Sequence, residues 1–388
     1  MSPACPAPKS RSAFIVSLLL LIAGLAVALP SGAGAGNNVK PRSEVVRVMS
    51  RNLYLGANLR PGLSATSLHE LSEFAGAVLR QVTRTNFPLR SRALADEILS
   101  RKPDLVGLQE VARWRTAPPD LGPAFNNKPA AEDVRYDFLQ SLLQRLNKHG
   151  RNYKVVVTQD EFDFETPANE NGQPNDGPNA AIPDSEINGR LTLRNVILAR
   201  RGAGVKTFKQ SSGHFNDVLE VTVSGAKIRV NRGWNRIDAR VRDSRRFRFV
   251  NTHLEAYDSE TQRPSIRAKQ AAQLVGPGGP ASSRLPVVLV GDLNSNDPGV
   301  KPGDEQAFQA VAAAGFVRRS TSRPSCCLSD SELVGGSLAD LNHTVDFVLT
   351  DTPRKVRLKR SARALPAKVG GIWSGDHAGI FSALKIKR

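Results

Sequence analysis

The chain has 388 residues, of which 40% are hydrophobic and 23% charged, with 31 glycines and 25 prolines. That length carries one large domain or two ordinary ones, and the composition is that of a loop-rich globular protein, not of a coiled coil or a bundle. Lys and Arg number 54 against 36 Asp and Glu, a net charge of +18. Such an excess favours polyanionic partners such as nucleic acid, phospholipid headgroups or anionic wall polymers. An Arg-rich background composition gives the same excess, so charge alone fixes no substrate.

At the N-terminus, Lys9 and Arg11 precede an apolar run from Ala13 to Leu29, followed by Pro30 and the small residues Ala33, Gly34 and Ala35. This is the pattern of a secretory signal, so residues 1–35 are expected to be a cleaved signal peptide and the protein secreted. An uncleaved anchor is the alternative, but the run of about 17 residues falls short of the ~20 a span needs. No stable membrane insertion is expected after cleavage. The mature chain keeps 52 basic against 36 acidic side chains, a net +16. Residues 36–44 read as a linker and 45–388 as a single domain, expected to be monomeric. Of three cysteines, Cys5 leaves with the leader. Cys326 and Cys327 are candidates for a vicinal disulfide in an oxidising compartment, with pairing to other chains the alternative. They lack the spaced partners of a zinc site.

Short β-branched runs predict strands at Val45–Arg51, Leu105–Gln109, Tyr153–Thr158, Arg194–Arg200, Val218–Val223, Lys227–Asn231, Arg246–Thr252, Pro286–Gly291, Thr344–Thr350 and Ala378–Leu384. Between them, apolar residues at three- and four-residue spacing predict helices at Leu63–Leu79, Pro88–Ser100, Val134–Lys148, Arg263–Leu274 and Asp304–Ala313. Asp160–Arg190, rich in Asn, Pro, Gly and acidic residues, reads as a long solvated loop, with an accessory Ca²⁺ site as the other reading of its carboxylates.

Polar residues sit where apolar strands stop: Asn52, Glu110, His253, Asp292 with Asn294, Asp346, and the Asp376-His377 pair. Any one of these reads equally as a turn former or cap. Together, from separated segments, their types suit cleavage of a phosphoester. That reaction needs charge neutralised on non-bridging oxygens, an activated water, and support for the leaving oxygen. Hard oxygen donors suit Mg²⁺ or Mn²⁺.

The segments Arg47-Val-Met-Ser-Arg-Asn52, Leu108-Gln-Glu110, Asn251-Thr-His-Leu254, Val290-Gly-Asp-Leu-Asn-Ser295, Thr344-Val-Asp-Phe-Val-Leu349 and Gly375-Asp-His377 occur in a telling order. The chain, over about residues 45–385, resembles the endonuclease/exonuclease/phosphatase superfamily, which has the deoxyribonuclease I-like fold. Asn52-Leu-Tyr-Leu-Gly-Ala-Asn58, Glu255 and the Cys326-Cys327 pair are similar to secreted actinobacterial members. The resemblance implies an α/β (α+β), four-layered sandwich in which two mainly antiparallel sheets are flanked by helices. It implies a divalent-metal-dependent hydrolase with Glu110 as principal metal carboxylate, helped by Asn52 and Asp376. His377 is then the general base, with Asp346 on its other nitrogen. Asp292 and Asn294 orient the water and bind the phosphate, while His253 contacts a phosphate oxygen or assists the leaving group. Arg194 and Asn195 stand where relatives place a polar residue near the phosphate, and a plain strand edge is the equal alternative. Thr344-Val-Asp346 and Gly375-Asp-His377 depart from the commoner Arg-Ile-Asp and Ser-Asp-His without removing a catalytic atom.

The expected activity is a nuclease or phosphodiesterase, for which the basic mature chain suits a nucleic-acid backbone. The alternatives are a sphingomyelinase-like phospholipid phosphodiesterase or a phosphatase. A phospholipid enzyme needs an exposed apolar hairpin, and with 6% aromatics no clustered Trp/Phe loop is evident. A non-catalytic polyanion-binding protein is the contrasting class.

Overall fold

The computed structural model describes residues 44–387 except 183, 224–225, 259–262, 300–302, 329 and 353. The signal peptide expected at 1–35, and all of the expected linker but Glu44, lie outside the described residues. In chain order the strands are β1 (Val45–Asn52), β2 (Leu105–Gln109), β3 (Arg113–Ala117), β4 (Asp133–Asp137), β5 (Tyr153–Ala168), β6 (Ile187–Arg200), β7 (Val205–His214), β8 (Leu219–Val223), β9 (Ala226–Val230), β10 (Gly233–Val241), β11 (Phe247–His253), β12 (Val287–Asp292), β13 (Val317–Arg318), β14 (Asp346–Thr350), β15 (Val356–Ala364) and β16 (Gly379–Ile386). The helices are α1 (Leu68–Arg84), α2 (Phe87–Arg101), α3 (Gly122–Asn126), α4 (Phe138–Leu146), α5 (Ile266–Val275) and α6 (Gln306–Ala313), with a 3₁₀ turn at Arg60–Ser64.

The first sheet runs β15-β16-β1-β2-β6-β3-β4, with β5 along the other side of β6, and the second runs β13-β14-β12-β11-β10-β7. Each is antiparallel apart from one parallel pair, β1 with β2 and β11 with β12. Alternating side chains give each sheet two apolar faces. The inner faces meet through Val48, Leu105, Ile197, Phe249, Val290 and Leu384. The outer face of the first sheet is covered by α1, α2 and α4, and that of the second by α5 and α6. This is the expected four-layered arrangement, and each layer buries the apolar stripe of the next.

Several expected boundaries are corrected. Val134–Lys148 is not one helix: residues 133–137 pair with β3, and only from Phe138 does the chain coil, where Asp137 accepts from Gln140 N and caps α4. Leu63–Leu79 divides likewise, because Ser67 caps α1 by accepting from Glu70 N and the apolar stripe then continues to Val82. The largest correction concerns Asp160–Arg190. It is no continuous loop, since β5 runs on to Ala168 and pairs with β6 down to Ile187. The period-two pattern is disguised by buried acids: Glu165 is almost fully buried and accepts from Ala130 N, Ala131 N and Asn188 Nδ2. Of the other acids in this segment, Asp163 is paired to Arg190, Glu170 to Arg135 and Asp184 to His69. The sequence pattern also missed β3, β4, β7, β10, β13 and β15.

Where α2 meets α4, the rings of Phe87 and Phe138 stack with centroids 3.6 Å apart, both essentially inaccessible to water. Replacing the ring leaves a void the two helices cannot close without parting from the sheet. Phe138→Ala is expected to lower unfolding free energy by about 3–5 kcal/mol, read by urea denaturation; a loss below about 1 kcal/mol would contradict this packing.

Candidate active site

The site is built where strand directions coincide. Because β1 and β2 are parallel, as are β11 and β12, their C-terminal residues Asn52, Gln109, His253 and Asp292 reach the same end of the molecule. The antiparallel neighbours contribute their N-terminal ends: Asp346 opens β14 opposite Asp292, and His377 lies just before β16. Glu110 and Asn294 leave their strands with φ of 52° and 47°, so the backbone turns at once at both positions. Gly291 lets β11 and β12 close up at this end. Its φ is 149°, and a Cβ there would lie 2.1 Å from the Thr252 carbonyl oxygen.

His377 Nδ1 donates to Asp346 Oδ2 at 2.8 Å, which leaves Nε2 facing Asp292 Oδ2 at 3.8 Å and Cys327 Sγ at 3.9 Å. Burial alone would push the imidazole pKa down. Asp346, Asp376 and Asp292 outweigh it and hold the value well above the ordinary 6.5. His253 behaves in the opposite way. It is buried and its Nδ1 accepts from Arg232 Nη1 at 3.2 Å, because a guanidinium can only donate. Its proton therefore sits on Nε2, which faces Asp292 Oδ2 at 3.7 Å and Glu110 Oε1 at 4.0 Å. Burial first, then Arg232, lowers its pKa to about 4. The acids around His377 thus favour its protonated form in the metal-free protein, while His253 stays a neutral hydrogen-bond donor.

Three acids and two amides complete the floor. Asn52 Nδ2 bridges Glu110 Oε1 at 3.2 Å and Asp292 Oδ2 at 3.1 Å, while its Oδ1 accepts from Tyr54 N at 2.9 Å. Asn52 therefore enters as a clamp that holds two carboxylates, and the metal-ligand role expected of it is not how this amide is oriented. Glu110 Oε2 accepts from Leu55 N at 2.7 Å, and Asp292 Oδ1 from Asn294 N at 2.8 Å. Asn294 donates its own amide to the Leu254 carbonyl. Asp376 is raised above the ordinary carboxylate pKa, chiefly by burial, and its Oδ1 has no hydrogen-bond partner; the same is true of Asp346 Oδ1. Burial, with Asp376 and Glu110 adding to it, raises the Tyr54 phenol pKa, which places both acids near that ring.

The structure does not bring Arg194 or Asn195 to the phosphate position. Arg194 is spent on the Val111 and Ala112 carbonyls and on Asp137, and it ties β6 to the start of α4. Asn195 lies fully buried between the sheets, donating to Glu161 Oε1 at 2.6 Å and to Gln159 Oε1 at 3.2 Å. Of the two readings left open for this pair, substrate contact or strand position, the hydrogen bonds favour the second, since both side chains are taken up by the scaffold. Cys326 and Cys327 are joined as a disulfide, with Cys327 exposed beside His377 Nε2.

Sequence reasoning missed the supports. Arg232 packs between Glu161 and Glu255, all three buried, and orients His253 from behind. Burial pushes Glu161 up to about 7 against the pull of Arg232. Glu255 stood in the Asn251-Thr-His-Leu-Glu255 segment without a role, which was the available signal. Arg51, fully buried, donates to Glu97, to the Asn52 and His377 carbonyls and to Ser374 Oγ. Arg90 donates to the Leu53, Tyr54 and Ser374 carbonyls, and burial lowers its pKa to about 10.

Among the described residues, Asp292, Asp346 and His377 form one group whose ligand atoms lie within 4.8 Å of one another, and Cys326, Cys327 and His377 form another. The first contains His377, whose Nδ1 is already held by Asp346, so the carboxylates left to suit a hard divalent cation are Asp376, whose Oδ1 has no hydrogen-bond partner among the described residues, and Glu110. Glu110 borders it through Asn52 and His253.

No family model matches the sequence, and no curated protein matches it. Solved structures do. An endonuclease/exonuclease/phosphatase family protein from Leptotrichia buccalis aligns over 88% of this chain and 100% of its own at 11% identity and a TM-score of 0.52. One from Bacteroides thetaiotaomicron aligns over 89% and 99%, at 13% identity and a TM-score of 0.50. The fold is that of the endonuclease/exonuclease/phosphatase superfamily. A further protein of that description, from Beutenbergia cavernae, is 17% identical with a TM-score of 0.50, covering 88% of this chain and 72% of its own.

The opposed histidines give a direct check. In NMR titrations of the metal-free protein, His377 is expected to stay protonated well above pH 6.5 and His253 to stay neutral down to about pH 4. Asp346→Asn removes the charge that favours the imidazolium, and Mg²⁺ adds an opposing one, so each should lower the His377 midpoint. A midpoint insensitive to both would contradict the geometry.

Proposed function

We propose that this protein is a divalent-metal-dependent phosphodiester hydrolase with His377 as its general base. The observation that carries this is the Asp346–His377 pair, with the free nitrogen of the imidazole aimed at Asp292 across 3.8 Å. Asp346 fixes the tautomer, so Nε2 is the nitrogen that takes the proton of an attacking water. In this reading Asp292 orients that water, and Asn294, whose amide also donates to the Leu254 carbonyl, contacts the phosphate. The Nε2–H of His253 supplies a neutral donor to a phosphate oxygen, and its low pKa keeps it in that form across the physiological range. Glu110 and Asp376 are the carboxylates that would hold Mg²⁺ or Mn²⁺ in this reading, which leaves Asp346 and His377 for proton transfer; the cation would neutralise charge on the non-bridging oxygens when bound. Asn52 keeps the two carboxylates it bridges at a fixed separation.

The fold supports this reading, since the Leptotrichia buccalis and Bacteroides thetaiotaomicron proteins that share it carry the endonuclease/exonuclease/phosphatase description. The leader read at 1–35 makes it a secreted enzyme in our proposal. The charge of +18 draws polyanions, which puts nucleic acid first in the substrate panel and phospholipid second.

The test is hydrolysis of plasmid DNA, RNA, sphingomyelin and bis-p-nitrophenyl phosphate with Mg²⁺ or Mn²⁺ and with EDTA. At least one is expected to be cleaved only with metal, and His377→Ala should lose about 10²–10⁴-fold in kcat on that substrate. Cleavage of none of them, or wild-type turnover by the variant, would overturn the proposal.

A further inference from the structure

A cavity of about 130 Å³ lies beside the catalytic floor. Its walls include Leu71, Phe74 and Val78 of α1, Phe162 and Phe164 of β5, and Leu191 of β6. Glu110, Arg232 and Tyr257 also line it. Glu110 is the carboxylate that meets Asn52 and faces His253, so cavity and catalytic cluster share a wall. Close-packed interiors keep few voids larger than a water molecule. This one is close in size to the ~150 Å³ apolar cavity that takes up benzene. It has room for a phenyl ring or a short alkyl segment.

The shape of the surrounding chain shows how the space arises. The register shift at Asp160/Phe162 in β5 sits just before Phe162 and Phe164, whose rings lie 6.0 Å apart and face the β8–β9 hairpin through Ile228 and Val221. The 3₁₀ turn closes the opposite side, with Gly62 against the Phe74 ring, where a Cβ would come within 2.2 Å of a ring carbon. Apolar walls thus end at an acid and a guanidinium that belong to the reaction centre. A ligand matching that sequence of surfaces is amphiphilic, with its apolar end inside and its anionic end toward the divalent cation that Glu110 would help to hold.

We propose that this cavity is the subsite for an apolar arm of the phosphodiester substrate, an alkyl or aryl group esterified to the phosphate cleaved at His377. This rests on the phosphodiesterase reading above and narrows it: an amphiphilic phosphodiester fits where a polynucleotide leaves the cavity unused. The apolar arm contributes binding through burial, and each buried methylene is worth about fourfold in affinity.

Calorimetric titration with methyl-, hexyl- and dodecylphosphonate in Mg²⁺ separates the two readings, because their carbon–phosphorus bond needs no turnover. Hexylphosphonate is expected to bind at least about tenfold more tightly than methylphosphonate, with no further gain for dodecylphosphonate. Ala75→Phe, which fills the cavity from α1, should abolish that gain and leave methylphosphonate affinity unchanged. Phe164→Ala enlarges the space and should move the preference to the dodecyl chain, so the proposal stays testable if the first variant does not fold. Equal affinity for all three chains, or a gain that survives Ala75→Phe, overturns the subsite while the phosphoryl site stands. Binding of none of the three overturns the phosphoryl site, and the subsite with it.

Discussion

Arg51 donates hydrogen bonds from a position with no access to water: to the carboxylate of Glu97, to the backbone oxygens of Asn52 and His377, and to the hydroxyl of Ser374. Asn52 and His377 are 325 residues apart in sequence, one clamping two acids and the other paired with Asp346. Their separation in space is set by one planar cation that both carbonyls accept from. Burying it is costly unless every donor is used, and Glu97 supplies the compensating charge from α2. Arg90 repeats the device from α2, holding the Leu53 and Tyr54 carbonyls against that of Ser374. The two arginines turn the loops after β1 and before β16 into a rigid frame, and the Asp346–His377 pair is only as well aimed as that frame.

A second frame stands behind His253. Arg232, Glu161 and Glu255 form a buried ionic cluster whose guanidinium decides which imidazole nitrogen carries the proton. The two histidines of the site therefore differ in protonation because their partners differ in sign: carboxylates surround His377, while a cation backs His253. Environment alone thus sets two buried imidazoles of one site to opposite protonation states at the same pH.

The ends of the strands were legible in the sequence because the information is local. An apolar run that stops at Asn52, Glu110, His253 or Asp292 shows both the strand and the residue that leaves it. The four layers followed from the ordered motifs and their resemblance, not from periodicity. The β5–β6 hairpin was hidden because Glu165 and Asp163 are acids that the fold pairs internally with partners far from them in sequence, so polarity imitated a loop. Arg194 and Asn195 misled for the converse reason: a polar strand residue near the site looks like a substrate contact until Asp137 and Glu161 are seen to take it. Arg51 and Arg232 could not be read as supports, since their partners lie tens to hundreds of residues away and nothing local distinguishes them from surface cations.

In the proposed function, water activated at His377 attacks phosphorus directly and no protein group is esterified. Hydrolysis of a P-chiral phosphorothioate diester in ¹⁸O-labelled water reads this in one measurement. Direct attack predicts inversion of configuration at phosphorus with the label in the phosphoryl product. Retention of configuration would mean two displacements through a protein nucleophile, and would contradict the role given to His377 and to the acids around it.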